Sequence, residues 1–108
     1  MYNIMLVCSA GMSTSLLVTK MKKHAEAKGL EVNIWASAEA DAKSTWVKAD
    51  IILLGPQVRF LESKIKKMVD DKIPVTVIDM VSYGAMNGQK VLDAALAKIL
   101  EASKNKEI

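Results

Sequence analysis

Cys8 is the single cysteine of a 108-residue chain. It is followed by Ser9, Ala10, Gly11, Met12, Ser13, Thr14 and Ser15, all small apart from Met12. Small side chains let a backbone curl tightly and turn successive N–H groups inward, which makes a cradle for an anion. A helix that starts in the same stretch adds its own unpaired N–H groups and the positive end of its dipole. Ser13, Thr14 and Ser15 bring hydroxyl donors, and one of them can cap the helix. The same surroundings favour thiolate over thiol, and thiolate is the nucleophile. Residue types and spacing therefore suit one chemistry: attack by Cys8 on phosphorus, with the loop holding the phosphoryl oxygens. Such chemistry is mainly positioning and electrostatics.

Other chemistries find less support. A free cysteine is often only a small core residue, but a strand end followed by a small-residue loop and a helix argues for a site. There is no G-x-x-x-x-G-K-[ST] and no G-x-G-x-x-G, so nucleotide binding lacks its usual motifs. One histidine, His24, and one cysteine far from it make no metal-ligand cluster, and nothing calls for a cofactor. Without a second thiol, a redox role is left with an intermolecular disulfide. An aspartate phosphoacceptor would need acidic groups at strand ends; Asp50 and Asp79 are candidates, but Asp50 precedes its strand. His24 sits near the apolar stripe of the first helix and reads as a partly buried structural residue.

The elements that must position Cys8 follow from hydrophobic patterning. Ile4-Met5-Leu6-Val7 and Ile51-Ile52-Leu53-Leu54 are continuously apolar, as in strands buried on both faces of a parallel sheet. Residues 30–36 alternate, and residues 73–78 include Pro74 and Thr76, which suits edge strands. Helices are expected over residues 13–28, stopped by Gly29, over 38–46 with Ser37 as N-cap, over 58–71, and over 88–103. The alternation predicts a single-domain α/β three-layer sandwich. Its four-stranded parallel sheet, of order 2-1-3-4, should carry helices on both faces. Cys8 then lies at the carboxyl end of the first strand, where the chain reverses direction across the sheet and ligands bind. The domain is expected to span residues 1–103, with 104–108 as a frayed tail.

Composition agrees. The chain is 51% hydrophobic and 25% charged with a formal charge of +3, ordinary for a globular domain. All but one of its 15 basic residues are lysines, the exception being Arg59. That scatter, with few aromatics, does not suit nucleic-acid reading. The amino-terminal apolar run is far shorter than a membrane span, no signal-peptide pattern precedes it, and the lone cysteine fits a reducing compartment. A cytoplasmic protein without direct membrane insertion is expected.

The stretches N-I-M-L-V-C-S-A-G-M-S-T-S-L-L-V at residues 3–18, L-L-G-P-Q-V at 53–58 and Y-G-x-x-x-G-x-K-V-L at 83–92 are the carriers of a family likeness. With these motifs the chain resembles the enzyme IIB component of the lactose/cellobiose (chitobiose) class of the bacterial phosphoenolpyruvate-dependent sugar phosphotransferase system. The resemblance implies that Cys8 is phosphorylated by a phosphohistidine of enzyme IIA. It further implies that the group passes to a sugar held by the membrane-embedded enzyme IIC, with residues 8–15 as the phosphate loop. A β-linked disaccharide such as cellobiose or diacetylchitobiose is the sugar it suggests.

Low-molecular-weight tyrosine phosphatases share this fold and a cysteine loop at the end of the first strand, but they use Cys-x-x-x-x-x-Arg and a later Asp-Pro. Here the Arg position is Thr14, and Asp79 precedes Met80. A non-covalent anion-binding module is the other alternative. Gln57, Tyr83 and Gly84 fall just after the third and fourth strands and either border the site or fill ordinary loop roles. Met12 either packs internally or meets enzyme IIA. Lys64, Lys66 and Lys67 read as a solvated face, with docking of an acidic partner as the competing view.

Overall fold

The structure, a computed structural model, describes residues 1–8 and 12–106, with the backbone alone at 12, 13 and 104–106. Strand β1 (Tyr2–Val7) runs into helix α1 (Met12–Ala27), followed by β2 (Val32–Ser37) and α2 (Glu39–Thr45). Then come β3 (Ile51–Leu54), α3 (Glu62–Met68), β4 (Val75–Val77), α4 (Met80–Gly84) and α5 (Gly88–Lys106). The four strands form one sheet of order β2-β1-β3-β4, and every pair is parallel. Fold class and strand order are as expected.

The continuous apolar runs explain the layering. Successive side chains of a strand point to opposite faces. Ile4 and Leu6 of β1 pack with Ile51 and Leu53 of β3 under Leu17, Met21 and Ala25 of α1 and Val91, Leu92 and Ala95 of α5. Met5, Val7, Ile52 and Leu54 face the other way, against Ala42 of α2 and Leu61, Ile65 and Val69 in and around α3. The central strands β1 and β3 are thus buried on both faces. The edge strands β2 and β4 are only partly buried.

Gly29 ends α1 as its sequence signal indicates, at φ +71, with Leu30 N–H donating back to the Ala25 carbonyl at 2.9 Å. Three expectations needed correction, and one element was not foreseen. Ser37 does not cap α2: it is the last residue of β2, paired with Val7, its hydroxyl donates to the Ala38 carbonyl, and Ala38 occupies the cap position. The helix foreseen over residues 58–71 is split into a 3-10 segment, Pro56–Leu61, and α3. It stops early because Asp70 and Asp71 both adopt positive φ, 52 and 54. The short helix α4 was not foreseen. Helix α5 continues to Lys106, past the expected end at residue 103.

Candidate functional site

Cys8 immediately follows β1, and the sheet still grips its backbone: Cys8 N–H donates to the Ser37 carbonyl at 3.2 Å. On the other side Gly55 N–H donates to the Val7 carbonyl at 3.0 Å. The residue thus stands between the carboxyl ends of β2 and β3, at the point where the strand order reverses. It is buried, with 7% of its surface exposed. A cleft of about 310 Å³ reaches it, lined by Ala38, Glu39, Ala40, Val58, Phe60 and Leu61. Among the described residues on that wall the one charged group is Glu39, which Lys64 neutralises as an ion pair.

Helix α1 begins at Met12, four positions beyond Cys8, with no acidic residue in its first turn. The first N–H groups of any α-helix lack partners within the helix, and such groups are the kind that hold an anion. Of the expected phosphate-loop residues, Ser9, Ala10 and Gly11 lie outside the described residues, as do the side chains of Met12 and Ser13. Ser15 is exposed within the first turn. Thr14 is not: it is 2% exposed, and its hydroxyl lies 3.1 Å from the Tyr83 hydroxyl. Gln57 Nε2 donates to the same Tyr83 oxygen at 3.2 Å. Two residues placed only near the site by sequence, Gln57 and Tyr83, are therefore joined to the loop through Thr14. Gly84 is not part of that chain; it is exposed at the end of α4, and a Cβ there would meet nothing within 4 Å.

Gly55 was missed, though the Gly-Pro step after an apolar strand marks a turn. A Cβ at Gly55 would stand 3.7 Å from the Cys8 Cβ and 2.7 Å from Gln57 Oε1, so only glycine leaves the Gln57 amide in place. Tyr83 owes its position to α4, which Asp79 starts by accepting from the Ser82 N–H and hydroxyl. The Ser82 backbone N–H, then its hydroxyl, hold the Asp79 carboxyl below its ordinary range. Asp50 is also structural: at the opposite edge of the sheet it accepts from Asn3 N–H at 2.8 Å. His24 is a partly buried helix-pairing residue, 3.2 Å from Asp93. Lys64 and Lys66 have intrachain partners, Glu39 and Glu62. No helix among the described residues is long and apolar enough to cross a membrane.

A family model for the lactose/cellobiose-specific IIB subunit of the phosphotransferase system matches residues 3–94. The chain belongs to this family. It is therefore a phosphotransferase component that relays a phosphoryl group to a sugar. Over 98 residues it is 50% identical to the oligo-beta-mannoside-specific EIIB component of Bacillus subtilis, covering 90% of this chain and 95% of that one. It is 45% identical over 98 residues to the galactose-specific EIIB component of Lactococcus lactis subsp. cremoris, covering 85% and 91%. The solution structure of the cellobiose-specific IIB component from Borrelia burgdorferi superposes with a TM-score of 0.79 at 39% identity over 94% of each chain. Membership of a IIB family removes the hydrolase reading. It also makes sense of Thr14 where a phosphatase carries arginine.

Proposed function

We propose that Cys8 is the phosphoacceptor of this IIB component, receiving its phosphoryl group from a phosphohistidine of enzyme IIA. The observation that carries the reading is the placement of Cys8 at the carboxyl edge of β1, four residues ahead of the first turn of α1. Residues 9–15 are the loop that holds the phosphoryl oxygens. In the first transfer the Cys8 sulfur forms a bond to phosphorus while the phosphorus–nitrogen bond breaks, its electron pair staying on the imidazole. In the second, a hydroxyl of a sugar bound by the membrane enzyme IIC attacks phosphorus. The sulfur–phosphorus bond breaks, its pair returns to Cys8, and the hydroxyl proton leaves to solvent. A buried sulfur whose one charged neighbour among the described cleft walls, Glu39, is held in an ion pair by Lys64 suits a group that must wait for its acceptor.

Partners need a surface to dock on. Leu16 of α1, Phe60 after β3, and Met80 and Val81 after β4 are large apolar side chains 49%, 75%, 63% and 75% exposed. All follow the carboxyl ends of strands, the edge where Cys8 lies. Exposed apolar side chains are what transient protein interfaces bury. The protein works on the cytoplasmic side, touching the membrane only through enzyme IIC. Its sugar is a β-linked disaccharide such as cellobiose or diacetylchitobiose, in line with the cellobiose and beta-mannoside names of two relatives. That relatives of similar identity carry different sugar names supports a selection that lies mainly in enzyme IIC.

Reconstitution with phosphoenolpyruvate, the general phosphotransferase proteins and enzyme IIA tests the reading. Mass spectrometry should find one phosphoryl group, on the peptide containing Cys8, and none on Cys8→Ser. Label on His24, or no label on the native chain, would refute it.

A further inference from the structure

We infer that Lys64 is a positioning residue for phosphoryl transfer: it holds the Glu39 carboxylate in an ion pair and so cancels the one negative charge on the described wall of the Cys8 cleft, letting a phosphoryl group come up to the sulfur unopposed. The inference rests on Cys8 being the phosphoacceptor.

Glu39 and Cys8 line the same cleft of about 310 Å³, whose other lining residues are apolar. A space of that volume is comparable in width to a Debye length, about 8 Å at physiological salt. Salt therefore screens Glu39 from the sulfur only in part, and apolar walls lower the local dielectric and extend its reach. The field acts through space, so it is felt at the sulfur from whichever side a group approaches.

The acid has a structural reason to be there. Helix α2 has Ala38 at its cap position, with no side-chain bond to its first N–H groups, and carries Glu39 and Asp41 in its first turn. Carboxylates at that end favour the helix. A phosphoryl group, however, brings about two negative charges, which the same carboxylate repels. Lys64 reconciles the two demands. It reaches from α3 to Glu39, 25 positions away in sequence. Among the described residues no other cation pairs with Glu39, and Lys66 of the same helix is engaged with Glu62. Both members of the Glu39–Lys64 pair are exposed, so the pair adds little to stability. Its effect falls on what approaches Cys8, because the field of a neutral pair fades faster with distance than that of a bare charge.

Alkylation of Cys8 by iodoacetate, an anion, and by iodoacetamide, its neutral counterpart of nearly the same shape, reads the charge at the sulfur directly. The ratio of the two rates cancels any change in thiolate fraction. Lys64→Gln should lower that ratio about two- to three-fold at low ionic strength, with recovery at about 1 M salt. Transfer from phosphorylated enzyme IIA should slow about five-fold, because the group carries twice the charge. Lys64→Arg, and Glu39→Gln combined with Lys64→Gln, should stay near native in both measurements, since neither leaves a bare carboxylate. Melting midpoints should remain near native throughout. An unchanged ratio in Lys64→Gln overturns the inference. So does a ratio deficit that survives high salt, or a combined variant as slow in transfer as Lys64→Gln, which would make Lys64 a direct contact of enzyme IIA. A native chain that takes up no phosphoryl group at Cys8 sinks the parent reading and this inference together. A labelled native chain with an unchanged ratio in Lys64→Gln sinks this inference alone.

Discussion

The two helical layers that flank the sheet differ in build. On one side lie α1 and α5, of 16 and 19 residues, packed along each other over Leu17, Met21, Val91 and Leu92. On the other lie α2 and α3, of seven residues each, tied together through 3-10 turns. Each layer contributes a different part of the site. The long-helix layer supplies Thr14, on α1, and packs against Tyr83 of α4, whose hydroxyl lies 3.1 Å from that of Thr14. The short-helix layer supplies Ala38, Glu39, Val58, Phe60 and Leu61, which wall the cleft into Cys8. On the proposed function, groups that must stay fixed are built on the regular layer, and the wall past which a partner must reach is built on the broken one. Long packed helices resist local opening, whereas short ones with few neighbours open at lower cost.

The sharpest way to break this contrast is a matched pair of deletions. Leu92 of the long-helix layer is 0% exposed and Leu61 of the other is 6% exposed. Leu92→Ala should cost about 4 kcal/mol and Leu61→Ala about 2–3 kcal/mol, because the cost falls where surroundings can close around the cavity. Equal losses by denaturant unfolding would erase the distinction. The next effect concerns the crossing of the long helices. A Cβ at Gly88 would stand 2.6 Å from the Lys20 carbonyl carbon and 2.7 Å from the Met21 nitrogen. Both are backbone atoms that cannot swing aside, so Gly88→Ala should destabilise by about 1–3 kcal/mol. It should also slow transfer if the crossing sets the pose of α1; unchanged stability would mean the layer yields more readily than its geometry indicates.

The smallest effect lies at the far end of the same crossing, where Asp93 of α5 accepts from His24 and Lys28 of α1 at 3.2 Å each. Burial raises the Asp93 carboxyl, but the hydrogen bonds from Lys28 and His24 outweigh it and hold the group below its ordinary range. A carboxylate with a depressed folded pKa adds stability above its unfolded value of about 3.9, and loses it as pH falls through the folded value. Asp93→Asn should therefore cost about 0.5 kcal/mol at neutral pH, the scale of an exposed pair, and progressively less as pH falls below the ordinary carboxylate range. A stability gap that persisted in acid would assign the effect to packing rather than charge.

Much of this contrast could be read from the chain alone, and the limits have physical causes. Ile4-Met5-Leu6-Val7 and Ile51-Ile52-Leu53-Leu54 announce strands buried on both faces, and the order 2-1-3-4 follows from them. Leu17, Met21 and Ala25 announce α1 by their spacing, and Cys8 stands out by type and position. Helix α4 stayed hidden because five residues carry no period; it exists because Asp79 caps it and Tyr83 is anchored inside. Residues 58–71 look like one helix because their apolar stripe is continuous, but no side-chain pattern reveals two successive aspartates at positive φ. Ser37 resembles a helix cap by type, yet its backbone is still engaged in the sheet. The Thr14–Tyr83–Gln57 chain joins residues 69 and 26 positions apart, beyond the reach of local patterning.

The bond from Cys8 N–H to Ser37 has a consequence for assembly. Cys8 is one residue past β1 and still held by the neighbouring strand, so the sulfur takes its coordinates from the stiffest part of the molecule. In a relay two proteins with different surfaces must each find the same atom. On the proposed function, a sulfur referenced to the sheet gives both a common datum, and any variation in their docking surfaces can be absorbed by the rim without re-aiming the atom to which the phosphoryl group is bound.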